Sequence, residues 1–320
     1  MPSIHRLRGV TAALVVALLF SAGAGASAPP QKTQAPGYYR MMLGDFEVTA
    51  LSDGTFSMEA NKILTHISPQ QLDAALTRSF LKEPIETSVN GFLINTGSKL
   101  VLIDTGSGTL FEPTVGKLLA NLKASGYRPE QVDEIYITHM HGDHVGGLVV
   151  NGKAAFPNAI VRASQQEADF WLSKAHMDAA PKEAKGSYQG AMSALNPYAS
   201  TGKLKPFNGD VELVPGIRAV ASAGHTAGHT VYVVASKGDT LVLWGDLMHV
   251  AAAQFPDPAV TIGFDTDSTM AVAQRKKIFA DAASHGYWVG GAHLPFPGIG
   301  HLGTEGTGYR YVPANYTALN

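Results

Sequence analysis

"YITHMHGDHVGG", Tyr136 to Gly147, closes an apolar run that begins at Val132. His139, His141, Asp143 and His144 crowd into its centre. A strand aims alternate side chains the same way, so His139 and His141 face one point if the extended geometry persists past the run. The "GDH" turn then swings Asp143 and His144 round, and Gly146-Gly147 lets the chain leave closely. Imidazole and carboxylate suit zinc and related divalent ions. The competing reading is a polar surface loop with chance histidines, and the density of the cluster argues against it.

The rest of the composition narrows the chemistry. With 320 residues, 45% of them apolar, there is ample material for a sizeable core. The formal charge of -2 comes without a block of like charge, which argues against a nucleic-acid track or a membrane surface. The chain has no cysteine, hence no thiolate nucleophile and no thiolate metal ligand. It also lacks the G-x-S-x-G elbow of a serine esterase. Any metal must therefore be held by His and carboxylates.

Arg6 and Arg8 precede an apolar run, Val10 to Phe20, and then "SAGAGASA". That order is a secretory signal peptide, and the run is too short for a comfortable membrane span. Ala24-x-Ala26 satisfies the small-x-small cleavage rule. Loss of residues 1–26 removes two arginines and no acid, leaving an exported, periplasmic or secreted chain of charge -4 with no membrane segment. Residues 27–37, "SAPPQKTQAPG", read as an extended arm. No linker or repeat interrupts the remainder, so 38–320 reads as one domain.

Strands are expected at 46–51, 91–96, 99–106 and 132–139, with a hairpin of 230–236 and 240–246 turned by "KG". Helical spacing marks 69–81, 112–126, 164–174 and 267–286, and 179–188 reads as a loop. Strands in both halves with helices interleaved fit an α/β architecture of two sheets covered by helices.

H-x-H-x-D-H after an apolar strand resembles the metallo-β-lactamase fold hydrolases, whose fold is an αββα sandwich. Further blocks resemble methyl parathion hydrolase and its lactonase-like relatives: "APGYYRMMLGDFEVTALSDG", "ETSVNGFLINTGSKLVLIDTG", "AFPNAIVRASQQEADFWLS", "GHTAGHT" and "PFPGIGH". Together they span about Ala35 to Asn320. By that resemblance His139, His141 and His225 hold one metal, Asp143, His144 and His293 hold a second, and Asp246 bridges both. Asp143 or Asp246 moves the proton. Asp104 and His229 are supporting residues behind the ligands rather than ligands. The resemblance also implies two divalent ions, zinc by default, sharing a hydroxide that attacks the substrate, and a homodimer.

Alignment with the same family puts Phe111, Trp171, Ser187, Tyr188, Ile262 and Phe264 near the pocket entrance. Aromatic and aliphatic lining suits an uncharged aryl substrate. Two positions depart from the organophosphate-degrading members: Ser187 replaces an aromatic residue, and His249 replaces an aliphatic one. The 179–188 loop is also one residue shorter. The expected activity is therefore hydrolysis of lactones or aryl esters with promiscuous organophosphate triester hydrolysis. A dedicated organophosphate hydrolase is the alternative. An iron-dependent redox enzyme of the same fold is a further one, although the flavodoxin-like extension of some such proteins is missing.

Overall fold

Apolar runs with strict alternation bury a different set of side chains on each face, and this sorts the strands into layers. The computed structural model describes residues 28–319, so the expected signal peptide lies outside the described residues. Residues 28–35 are exposed and hold no helix or strand. Pro36–Asn320 forms one compact unit.

Six strands make the first sheet in chain order: β1 Tyr38–Leu43, β2 Phe46–Met58, β3 Ile85–Asn95, β4 Leu100–Ile103, β5 Glu134–Tyr136 and β6 Ile160–Arg162. Neighbours are antiparallel up to β4, and β4–β5 and β5–β6 are parallel. The second sheet has seven: β7 Val211–Val214, β8 Ile217–Ala221, β9 Thr230–Ser236, β10 Asp239–Leu243, β11 Trp288–Gly290, β12 Ile299–Glu305 and β13 Gly308–Pro313. Only β10–β11 is parallel there.

Phe92, Ile94, Val101, Ile103 and Tyr136 from the first sheet meet Tyr232, Val234, Leu241, Leu243 and Ile299 from the second in one buried cluster. The intervening Leu93, Leu102 and Ile135 face the other way, onto Leu118, Leu122, Leu195 and Tyr198 of covering helices. On the second sheet Val231, Val242 and Val289 pack beneath Phe279 and Ala282 of the helix Ser268–His285. The order helix, sheet, sheet, helix is the αββα sandwich. "LVLI" at β4 is apolar throughout because both of its faces are covered. Each such buried Leu, Ile or Phe contributes about 1.5–3 kcal/mol relative to exposure.

Boundaries differ from the sequence expectation where a side chain or a bulge intervenes. β2 does not stop at Leu51. A register shift between Ser52 and Gly54 absorbs the "SDG" that reads as a turn, and pairing continues to Met58. β4 ends at Ile103 because Asp104 takes a left-handed conformation, φ 57. The helix expected over 112–126 occupies only Leu118–Ala124, since the Asp53 carboxylate accepts the N–H groups of Gly116 and Leu118 and holds the preceding residues as a loop. The 179–188 segment is not loop throughout: a helix runs Lys185–Ala199 and carries Ser187 and Tyr188. The helix Ser268–His285 has the ends its sequence implies, with Asp267 capping the Met270 N–H and Gly286 following at φ 67.

The parallel pairs position the site. Parallel neighbours send consecutive C-terminal ends to one edge, so Asp104 after β4 and His139–His144 after β5 emerge together. Asp246 after β10 and His293 after β11 do the same on the second sheet. β9 runs antiparallel to β10, which brings the 222–229 turn between β8 and β9 to that edge too.

Candidate metal centre

Backbone contacts fix each ligand loop before any ligand is considered. Asp104 Oδ1 accepts the Thr138 N–H at 2.9 Å, and its Oδ2 accepts the Thr138 hydroxyl at 2.7 Å, which anchors the start of the histidine segment. The turn Gly142–Val145 then presents Asp143 and His144. Gly146 and Gly147 press against the carbonyls of Ser107 and Thr105, where any Cβ would collide. Gly245 precedes Asp246 at φ 53, and a Cβ there would lie 2.8 Å from Thr138 Cβ and 2.9 Å from His229 Nε2. Only glycine fits that approach.

Seven side chains converge into two groups of four potential ligand atoms sharing Asp246. One is His139, His141, His225 and Asp246; the other is Asp143, His144, His293 and Asp246; atoms within each lie within 4.8 Å of one another. All are buried except His141, which is half-buried. In the first group His139 Nε2 and His225 Nε2 stand 3.0 and 3.1 Å from His141 Nδ1, and 3.6 and 3.4 Å from Asp246 Oδ2. In the second, His144 Nε2 is 3.2 Å from Asp246 Oδ1 and His293 Nε2 is 3.2 Å from Asp246 Oδ2, while each lies 3.5 Å from Asp143 Oδ2.

The outward nitrogens show that this donor set suits cations. His293 Nδ1 donates to the Ser88 carbonyl at 2.9 Å, His225 Nδ1 to Asp265 Oδ1 at 3.0 Å, and His144 Nδ1 to Asp104 Oδ2 at 2.8 Å. The Thr138 hydroxyl gives its proton to Asp104 and so accepts from His139 Nδ1 at 3.1 Å. Four rings thereby turn an Nε2 lone pair inward, against one another and against two carboxylates. His144 Nε2 and Asp246 Oδ1 are buried with no hydrogen-bond partner. An array of inward acceptors with outward donors is what paired divalent ions require.

The protonation preferences differ between the two groups. Burial pushes His139 and His225 well below the usual imidazole range and His141 down to about 4. Burial also opposes charge on His144 and His293, but Asp246 and Asp143 override it, and both are raised. Burial penalises the two carboxylates as well; His144 outweighs it, holding Asp143 at about 2 and Asp246 well below the ordinary range. Ionised carboxylates beside neutral imidazoles are the metal-binding state, which His139, His141 and His225 already favour, whereas a cation at His144 and His293 would take the place of the protons that Asp246 and Asp143 draw onto those rings.

His229 is not among the ligand groups. Its Nδ1 donates to the Ser222 carbonyl at 3.2 Å and its Nε2 accepts the Asp246 N–H at 3.1 Å, so it holds the shared carboxylate from behind. His249, itself buried, touches the side-chain oxygen of the same carboxylate, Nε2 to Asp246 Oδ2 at 3.0 Å. Its ring lies between those of His225 and His293, at 4.9 and 5.2 Å.

The pocket residues divide. Trp171 packs edge-on against His141 at 5.2 Å, and Tyr188 packs tilted against Trp171 at 4.8 Å, both buried. Phe111 and Phe264 are 46% and 48% exposed and form an open apolar rim: Phe111 leans on Phe56, which edges His293, and Phe264 faces His249. Ile262 is instead buried in a cluster with Met58, Leu64 and Val250. Ser187 is exposed, and among the described residues no hydrogen bond joins it to the ligand cluster.

Four supporting residues escape the sequence reading. Glu167 accepts from the Met140 and Gly228 N–H groups, and Asp265 accepts from His225. Gln254 Oε1 takes the N–H groups of His249 and Val250, and buried Arg275 donates to the carbonyls of Leu247, Pro258 and Val260. Each lies outside the histidine motif and looks in the sequence like an ordinary polar residue. The available signal is the helical spacing of "SQQEADFW", which puts Glu167 on the same face as Trp171.

Comparison with known proteins places this geometry in context. The family model of the Metallo-beta-lactamase superfamily matches residues 84–298. Among solved structures, the hydrolase AbOPH of the beta lactamase superfamily is 39% identical, with a TM-score of 0.85 over 89% of this chain and 100% of that one. AidC, a dizinc quorum-quenching lactonase in complex with a product, N-hexnoyl-L-homoserine, is 29% identical, with a TM-score of 0.82 over 88% of this chain and 99% of that one. An N-acyl homoserine lactonase from Bacillus cereus is 26% identical over 205 residues, 58% of this chain and 74% of that protein.

Proposed function

Because the chain belongs to the metallo-β-lactamase superfamily, we propose that it is a binuclear metal-dependent hydrolase of lactones and aryl esters, with organophosphate triesters as weaker substrates. One observation carries the reading: a single buried carboxylate, Asp246, belongs to both four-atom ligand groups. The lactonases among its relatives support a lactone substrate. The signal-peptide pattern of residues 1–26 supports export, and the resemblance to methyl parathion hydrolase supports a homodimer.

Two divalent ions, zinc by ligand chemistry, would when bound supply a water acidified toward neutrality and positive charge for the oxygen under attack. His139, His141 and His225 would hold one, Asp143, His144 and His293 the other, and Asp246 both. The chain's own residues do the rest. Asp143 is an ionised carboxylate beside His144 and His293, and we assign it the taking and return of a proton. Phe111 and Phe264 offer apolar surface at the mouth for an aryl or acyl group. His249 fills the space against Asp246, which favours a planar ester carbonyl over a bulkier tetrahedral phosphotriester.

The test is a panel of an N-acyl homoserine lactone, dihydrocoumarin, an aryl ester and methyl parathion on metal-analysed protein. Lactone or aryl-ester kcat/KM should lead, and a methyl parathion value above all of them would overturn the assignment. His249→Leu should move the ratio of phosphotriester to lactone kcat/KM about tenfold toward the phosphotriester, a difference of about 1.4 kcal/mol. An unchanged ratio would reduce His249 to packing.

A further inference from the structure

The helix Gln165–Trp171 contributes no ligand, yet it grips the chain beside every unshared ligand of one group. Glu167 is fully buried, and among the described residues no Lys or Arg pairs with it. Its Oε1 accepts the Met140 N–H at 2.8 Å, midway between His139 and His141. Its Oε2 accepts the Thr226 hydroxyl at 2.8 Å, next to His225, and the Gly228 N–H at 2.9 Å. Ser164, which caps the same helix, donates to the Gly228 carbonyl at 2.8 Å. One turn on, Trp171 packs against the His141 ring.

Asp143, His144 and His293 are held by other residues: the buried Asn90 amide donates to the carbonyls of Gly291 and Leu294 at 3.2 and 2.7 Å, on either side of His293, and the Thr105 hydroxyl donates to the His144 carbonyl at 2.8 Å. Asp104 and the Ser88 carbonyl orient the two imidazoles of that group. A carboxylate buried without a cation is costly, and a neutral side chain would support a loop more cheaply. What a carboxylate adds is acceptors on both oxygens, which clamp two loops from different sheets at a fixed separation.

Resting on the binuclear reading above, we propose that Glu167 is a positioning residue that sets the spacing of His139, His141 and His225, and so controls the affinity of that metal position independently of the other. Glutamine cannot replace it. In either amide orientation the NH2 group faces a backbone N–H, that of Met140 or that of Gly228.

The experiment is zinc binding by chelator competition on folded full-length protein. Wild type should hold two ions. E167Q should hold one at unchanged affinity and the other about 10- to 100-fold more weakly. D143N, altered in the opposite group, should also keep one. At a zinc level that leaves one ion on each single variant, the E167Q/D143N double variant should hold none. Thr226→Val removes one donor to Glu167 and should weaken the same position to a smaller extent; it decides the matter if E167Q does not fold. Equal weakening of both ions in E167Q, no weakening, or a double variant that binds as D143N does would overturn the proposal. A wild type holding fewer than two ions overturns the binuclear reading instead.

Discussion

His229 has both ring nitrogens committed, and burial pushes its pKa down to about 4. Its folded-state value lies below the ordinary 6.5, so the unfolded chain takes the proton first. The stability that neutral His229 provides is therefore complete above about pH 6.5 and is lost as pH falls toward 4. In chelator-treated protein, the stability gap between wild type and His229→Gln should narrow by about 2 kcal/mol from pH 7 to pH 5. Urea denaturation at the two pH values reads this, and a gap that widens would show that His229 is charged in the fold. Asp104 makes a different prediction, because it orients His144 directly and His139 through Thr138. Asp104→Asn turns an amide N–H toward one of those donors. Both ions should bind about 10- to 100-fold more weakly, unlike the single-position loss expected on altering Glu167.

At the scale of elements, the segment from β4 to the helix Leu118–Ala124 holds its shape around one carboxylate. Asp53 accepts the N–H groups of Ser107, Gly116 and Leu118 at 2.8–2.9 Å, and a Cβ on Gly106 would strike it. Asp53→Ala strips all three donors of their acceptor and should cost about 3 kcal/mol of unfolding free energy. The segment carries Phe111, so KM should rise more than kcat falls, with zinc content unchanged; lost zinc would mean that the loop also supports the ligands. Asp53 also marks where sequence reading stops. The crowding at 139–144 is legible because four ligand-type side chains adjoin one strand end. His225, Asp246 and His293 lie in three segments far apart in the sequence, and only the resemblance to a family assigns them. Asp53, Glu167, Asp265 and Gln254 are harder still, since each acts through contacts remote in sequence and looks like an ordinary polar residue. The same limit applies to boundaries. Two apolar runs joined by "KG" identify the hairpin of β9 and β10, but the bulge that prolongs β2 and the carboxylate that delays the helix at Leu118 depend on tertiary contacts.

Across the whole molecule, the ligand set is divided between the sheets. His139, His141, Asp143 and His144 follow β5, whereas His225, Asp246 and His293 belong to loops of the second sheet. Each group of four draws on both sheets, so each ion would cross-link the two halves at the edge where the buried core of Phe92, Ile103, Tyr232 and Leu243 ends. Ions that bind the folded chain and not the unfolded one stabilise it by mass action, about 4 kcal/mol per site at a thousandfold excess over Kd. Chelation should therefore lower Tm for the cooperative unfolding of both sheets together, and added zinc should restore it in a concentration-dependent way. Asp246→Asn separates this linkage from any general effect of zinc. With the shared carboxylate gone, its Tm should scarcely respond to zinc, and its hydrolytic activity should fall by about three orders of magnitude. A wild-type Tm that ignores chelator, in protein shown by metal analysis to have lost its ions, would mean that the sandwich holds its ligand loops in place unaided.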